Sequence, residues 1–160
     1  MAGSYKSYRQ HFIDIAKSKG YKIKNPSYQE KKKNIDVILD GQINGKSVLV
    51  SVDIKKKNGK NANQWVYVEY TNSKGGKGWL YGGSNFIVFE TSKEFIFVPR
   101  KNLLTWLESS GCVRWDLPYV DKPWLSKYRL FRRSGTQETI SQIKVSDLYL
   151  IDGFQIWQKY

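Results

Sequence analysis

The segment SVDIKKK, residues 51–57, places an acid and a lysine two residues apart at the end of an apolar run. Side chains alternate along a strand, so Asp53 and Lys55 share one face of the strand that this run predicts. A carboxylate that enters an apolar strand is costly unless it is paired or bound to a metal ion. The sequence should therefore hold a partner for Asp53.

Asp36 is the candidate partner, because it lies in the preceding predicted strand, 34–39. Asp-Gly and Asn-Gly turn signals at 40–45 predict a hairpin that brings Asp36 beside Asp53. Two adjacent carboxylates repel each other unless a cation lies between them, and their hard oxygens suit Mg²⁺ or Mn²⁺. We therefore expect Asp36 and Asp53 to bind metal. Lys55 would orient an attacking water or stabilise charge that develops on a phosphate.

These side chains must be positioned by a helix and a set of strands. The spacing of Tyr5, Tyr8, Phe12 and Ile15 predicts an N-terminal helix, capped by Ser4 and ended by the glycine at position 20. Apolar and β-branched runs predict strands at 34–39, 46–55, 64–70, 85–90 and 94–99, followed by a helix at 100–107. This order predicts an α+β fold built round a mixed sheet.

The C-terminal part is less regular. Segments 128–133 and 138–148 predict a last hairpin, whereas 151–160 gives no definite element. Since no linker divides the chain, we expect one domain over residues 1–160. Its core would span about 1–110, with a C-terminal extension of about 111–160.

The composition of the chain limits the classes of function that it can have. The net charge of +13 attracts polyanions, of which nucleic acid is the commonest inside cells. One cysteine, Cys112, and one histidine, His11, exclude an internal disulfide, a Cys/His zinc cluster and histidine-dependent nuclease chemistry. No apolar run approaches the ~20 residues of a membrane span, and the N-terminus lacks the apolar core of a signal peptide. We therefore expect a cytoplasmic protein with no membrane partner.

The order of an N-terminal helix, Asp36, a hairpin and Asp53-x-Lys55 resembles the PD-(D/E)XK nuclease superfamily. Its members include restriction endonucleases and Holliday-junction resolvases, which cleave phosphodiesters with a divalent metal. The resemblance covers roughly residues 1–110, although Ile35 stands where the family name has proline. It implies an α/β/α restriction-endonuclease-like fold, with a central mixed sheet flanked by helices. Many members dimerise to cut two strands, so a homodimer is an option.

Two further acids follow from the resemblance. The segment WVYVEYTNSKGGKGWLYGG, residues 65–83, is similar to phage-encoded members in which a strand carrying an acid precedes a glycine-rich turn. By that similarity Glu69 would be an additional active-site acid, on the same face as Trp65 and Tyr67. Glu30, six residues before Asp36, matches the place of an extra ligand or water-orienting acid in several members.

A basic surface is expected beside these acids. Loop lysines and an arginine pair are candidates to contact nucleic-acid phosphates: Lys56, Lys57, Lys60, Lys74, Lys77, Arg132 and Arg133. The hypothesis is therefore a Mg²⁺-dependent endonuclease acting on DNA, with a particular DNA structure as one option for its substrate. A non-catalytic basic nucleic-acid-binding protein and an RNA-processing nuclease are the alternatives. If the protein binds nucleic acid without cleaving it, Asp53 and Lys55 would form an ion pair on a solvated face, and Glu69 would pair with a lysine.

Overall fold

Between residues 7 and 160, which the computed structural model describes, nine strands form two sheets. The strands are β1 Lys22–Lys24, β2 Val37–Ile43, β3 Lys46–Lys55, β4 Trp65–Thr71, β5 Phe86–Glu90, β6 Glu94–Pro99, β7 Phe131–Arg132, β8 Thr139–Lys144 and β9 Gln155–Gln158. The helices are α1 Tyr8–Ser18, α2 Tyr28–Lys32, α3 Arg100–Ser109 and α4 Val145–Leu148, with 3₁₀ turns at Trp79–Tyr81 and Pro123–Leu125.

The larger sheet has the order β1-β2-β3-β5-β6-β9. Its neighbouring strands are antiparallel except for the parallel pair β3–β5, so the predicted α+β class with a mixed sheet is confirmed. The hairpin of β2 and β3 is confirmed as well. Asn44 and Gly45 form its turn with φ of 53° and 76°, the left-handed values that an Asn-Gly turn supplies. Asp40 and Gly41 lie within β2, so the predicted turn there is wrong.

The two faces of this sheet are covered differently. Phe12, Ile13 and Ala16 of α1 pack on one face, against side chains of β2, β3, β5 and β6. The other face is covered by the smaller sheet, of order β4-β8-β7, together with α3. The expected flanking by helices on both faces is therefore met fully on one face only, because β4 pairs with β8 instead of leaving that face to helices.

The chain termini depart from expectation in detail. The predicted cap Ser4 and the predicted helix residue Tyr5 lie outside the described residues. Helix α1 begins at Tyr8, where the Ser7 side chain accepts a hydrogen bond from the backbone N–H of Gln10. The predicted last hairpin is found as β7 and β8, although residues 145–148 form α4. Segment 151–160 contains β9, which completes the larger sheet beside β6.

In the described part of the chain, no helix is both long and apolar enough to span a bilayer.

Candidate active site

Asp36 and Asp53 face each other at the open end of the β2–β3 hairpin. Asp36 immediately precedes β2, and its N–H donates to the carbonyl of Val52 at 2.9 Å. The register pairs Val37 with Val52, so its continuation by one residue places Asp36 opposite Asp53, on the same side of the sheet. Oδ2 of Asp36 accepts the N–H of Ile54 at 2.8 Å, which fixes this carboxylate against β3. The hairpin thus brings the two predicted acids together.

The carboxyl group of Asp53 is buried and only partly satisfied. The residue is 2% exposed, and Oδ1 contacts the Lys55 ammonium at 3.0 Å. Within residues 7–160, Oδ2 has no hydrogen-bond partner. Burial, against the opposing effect of Lys55 and with a contribution from the Asp36 carboxylate, raises the pKa of Asp53 to about 7. The site therefore holds two neighbouring carboxyl groups, and either a proton or a cation would relieve the repulsion between their charges.

Lys55 lies between the acid pair and the second sheet. Its ammonium is 4.5 Å from the centre of the Trp79 ring, and about a quarter of its side chain is exposed. Because Asp53 is buried, the Asp53–Lys55 ion pair does not lie on a solvated face. The ammonium is thus held beside a carboxylate while it remains accessible to a charged ligand.

Glu69 approaches Lys55 from the other sheet. Exposure alternates along β4, which puts Trp65, Tyr67 and Glu69 on its less buried face, as expected. Oε1 of Glu69 accepts the N–H of Trp79 at 3.3 Å. Burial raises the pKa of Glu69, the Trp79 N–H and the charge of Lys55 oppose that rise, and the charge of Glu138 adds to it. Glu69 therefore lies on the neighbouring sheet, bonded to the Trp79 N–H, and does not join the acid pair itself.

The acid pair fits a divalent cation. Among residues 7–160, no group of three or more histidines, cysteines and acids is placed to hold a metal ion. Mg²⁺, however, is commonly held by one or two carboxylates, with water and substrate phosphate completing the shell. The buried, unpartnered Oδ2 of Asp53 next to the carboxylate of Asp36 is such a donor set. Asp36 and Asp53 are thus the residues that could hold the cation.

Glu30 has a different role from the one that the resemblance implies. Its Oε1 accepts the N–H of Ser27 at 2.9 Å, and its own N–H donates to the Ser27 hydroxyl. These hydrogen bonds form a capping box at the start of α2 and lower the pKa of Glu30. The spacing Ser-x-x-Glu is a local signal for this cap, so the carboxylate of Glu30 stabilises a helix terminus.

The predicted basic residues divide into two groups. Lys56 and Lys57 join Lys55 along one cavity, and Arg133 lines a second cavity with Glu69 while it pairs with Glu138 at 3.1 Å. The remainder lie elsewhere on the surface. Lys60 lies in the exposed loop after β3, Lys74 and Lys77 lie in the turn after β4, and Arg132 stacks on Tyr119 at 5.1 Å.

The structure adds residues on the α1 side that the sequence did not indicate. Arg9 donates to the backbone carbonyl of Asp36 at 3.3 Å, and a cleft of about 580 Å³ beside Asp36 is lined by Arg9, Asn25 and Lys31. Burial raises the pKa of Tyr8, and the charges of Asp36 and Asp53 add to that rise. The spacing of Tyr8 in the sequence predicts only that it lies on the apolar face of the first helix. A second group of basic residues, Arg9 and Lys31, therefore lies beside Asp36.

The raised pKa of Asp53 predicts a pH-dependent stability in EDTA. The folded protein keeps Asp53 protonated up to about pH 7, whereas the unfolded chain ionises it near its ordinary value of 3.8. The free energy of unfolding should therefore fall between about pH 4 and pH 7, by on the order of 4 kcal/mol from this group. Asp53→Asn lacks the group and should become more stable than wild type at pH 8. Urea denaturation of both proteins at pH 5 and pH 8 measures this, and parallel pH curves would contradict it.

Comparison with known proteins returns no match: no family model, no curated protein and no solved structure matches the chain. Function is therefore inferred from the geometry of residues 7–160.

Proposed function

We propose that this protein is a divalent-metal-dependent endonuclease that hydrolyses phosphodiester bonds in DNA. The observation that carries the proposal is the convergence of Asp36 on the buried Asp53. Oδ2 of Asp53 is unpartnered in the described part of the chain, and the Lys55 ammonium lies 3.0 Å from Oδ1. Two acids and a lysine so arranged are what the PD-(D/E)XK resemblance implies. We propose the restriction-endonuclease-like fold on the same grounds, and the order α1, β2, β3 with the parallel β5 supports it.

Each residue has a chemical part in this proposal. Asp36 and Asp53 would hold Mg²⁺ or Mn²⁺, which when bound polarises a phosphoryl oxygen and lowers the pKa of water. Lys55 stabilises charge that develops on the scissile phosphate, or orients the attacking water, from its position beside Asp53. Glu69, on the neighbouring sheet, assists as a further active-site acid, held by the N–H of Trp79.

The basic residues hold the substrate backbone. Lys56 and Lys57 follow Lys55 directly along the cavity, and Arg9 and Lys31 line the cleft on the other side of Asp36. A nucleic-acid strand that passes the acid pair would therefore meet cations on both sides of the scissile bond. Binding through phosphates releases counterions, so affinity should fall steeply as salt rises.

Cleavage of supercoiled plasmid and of branched DNA, with Mg²⁺ and with EDTA, tests the proposal. Wild type should nick or linearise DNA with Mg²⁺ or Mn²⁺ and do neither in EDTA, since two carboxylates and a lysine alone cannot supply the Lewis acid. A matched RNA panel separates DNA cleavage from RNA processing. Failure to cut any substrate with either metal would contradict the nuclease proposal.

A non-catalytic nucleic-acid-binding protein is the second candidate. It is favoured by the net charge of +13 and by the fact that no group of three metal-binding side chains occurs in the described part of the chain. It predicts salt-sensitive DNA binding that Mg²⁺ and EDTA leave unchanged, without any cleavage.

A further inference from the structure

A cavity of about 140 Å³ opens beside Lys55, and several aromatic side chains line it. Trp65 and Tyr67 reach it from β4, Trp79 from the 3₁₀ turn and Phe89 from β5. Its volume is close to that of an engineered protein cavity of roughly 150 Å³ that binds benzene. The cavity therefore has room for one flat ring of about that size.

The rings are held in place before any ligand binds. Trp79 packs edge-on against the buried Phe89, with ring centres 6.1 Å apart. Trp65 contacts Tyr128 edge-on at 5.3 Å, and the Tyr128 hydroxyl donates to Oδ2 of Asp147. Tyr128 has a φ of 55°, which is costly for an aromatic residue and is found mostly where the surrounding structure imposes it. The wall is thus ordered before binding, so its side chains lose little conformational entropy when a ligand stacks on them.

Lysines outnumber acids in the lining of the same cavity, where Glu90 is the acid. Lys55, Lys56 and Lys57 line one side of it. Outside the lining, the ammonium groups of Lys127 and Lys144 lie 5.1 and 5.9 Å from the centre of the Trp65 ring. Aromatic platforms flanked by lysines are how proteins hold the base and the phosphate of a single strand at once. Asn58, which also lines the cavity, can hydrogen-bond the edge of a base.

We propose that this cavity takes one unpaired base of a DNA strand, so that the preferred substrate has an unpaired nucleotide next to the cleavage site. A base inside a continuous duplex would first have to leave its stack, at a cost that a single strand, flap or junction does not incur. The inference rests on the proposed nuclease function for the identity of the ligand as DNA. The binding experiment below does not depend on cleavage.

Fluorescence anisotropy of a labelled 20-nucleotide strand, alone and as a duplex, tests this in EDTA at fixed salt. Wild type should bind the single strand more tightly than the duplex. Trp65→Ala should weaken single-strand binding roughly 10-fold, and duplex binding far less, because a stacking partner is lost. Trp65→Phe should restore most of the affinity, which a merely misfolded Trp65→Ala protein would not explain.

Tyr160→Ala is the matched control, since Tyr160 is an aromatic residue that is 96% exposed and does not line the cavity. It should bind both DNAs as wild type does. Equal losses for single strand and duplex in Trp65→Ala, or wild-type affinity for both, would overturn the cavity proposal while metal-dependent cleavage by wild type still stood. A selective loss of single-strand binding without cleavage of any substrate would uphold the cavity and refute the nuclease.

Discussion

Asp53→Asn is expected to slow Mg²⁺-dependent DNA cleavage by about three orders of magnitude, because several kcal/mol of charge stabilisation depends on the carboxylate pair. Asparagine has the shape of aspartate, and its amide oxygen can still accept a hydrogen bond from Lys55. The buried site should therefore stay folded while it loses the charge that attracts the cation. Initial rates of plasmid nicking measure the effect. Isothermal titration with Mn²⁺ should show in parallel that the variant no longer binds metal.

Lys55→Ala separates the role of the ammonium group from that of the acid pair. It should slow cleavage by about a hundredfold or more, the loss typical of one preorganised charge-stabilising donor, and leave Mn²⁺ binding measurable. Lys101→Ala, an exposed lysine on α3, is the matched control and should cut like wild type. Asp53→Asn or Lys55→Ala proteins that cut at the parental rate would place the active site elsewhere.

The acid pair could be predicted from sequence because its determinants are local. A hairpin register follows from its turn, and the Asn-Gly signal fixes which residue of β2 faces which residue of β3. Asp36 and Asp53 therefore pair as expected, although Asp36 lies just before β2 and not inside it. Local pattern indicates that Asp53 enters an apolar strand, but it does not reveal which element covers this residue. That depends on the second sheet, which β4 forms with β8, a strand about 75 residues further along the chain.

Residues whose roles depend on distant contacts escaped prediction. Glu30 resembled an active-site acid by position, whereas its hydrogen bonds to Ser27 make it a helix cap. Arg9 and Tyr8 come next to Asp36 only because α1 packs across the sheet. Segment 151–160 gave no element since β9 is short and has its partner in β6, about 60 residues earlier. Pairings across such separations have no periodic signature in the sequence.

A buried ion pair joins two residues that are also far apart in the sequence, and we expect its loss to have a large effect on stability. Nζ of Lys159 lies 2.8 Å from Oε2 of Glu90, and both side chains are almost fully buried. Lys159→Met removes the ammonium and leaves the Glu90 carboxylate buried without a cation. The free energy of unfolding should therefore fall by about 3–5 kcal/mol. Urea denaturation at pH 8 measures it.

Two further variants identify the cause of that loss. Glu90→Gln/Lys159→Met removes both charges and should recover most of the stability, because no unpaired charge is then buried. Lys93→Met, at an exposed lysine beside β6, should stay within about 0.5 kcal/mol of wild type. If Lys159→Met unfolds at the same urea concentration as wild type, the ion pair does not contribute to the free energy of unfolding. Oε1 of Glu90 also accepts the N–H of Lys57 at 2.9 Å. By holding Glu90 in place, Lys159 therefore also stabilises the loop that carries Lys56 and Lys57. Lys159→Met should for this reason weaken DNA binding as well as lower the free energy of unfolding.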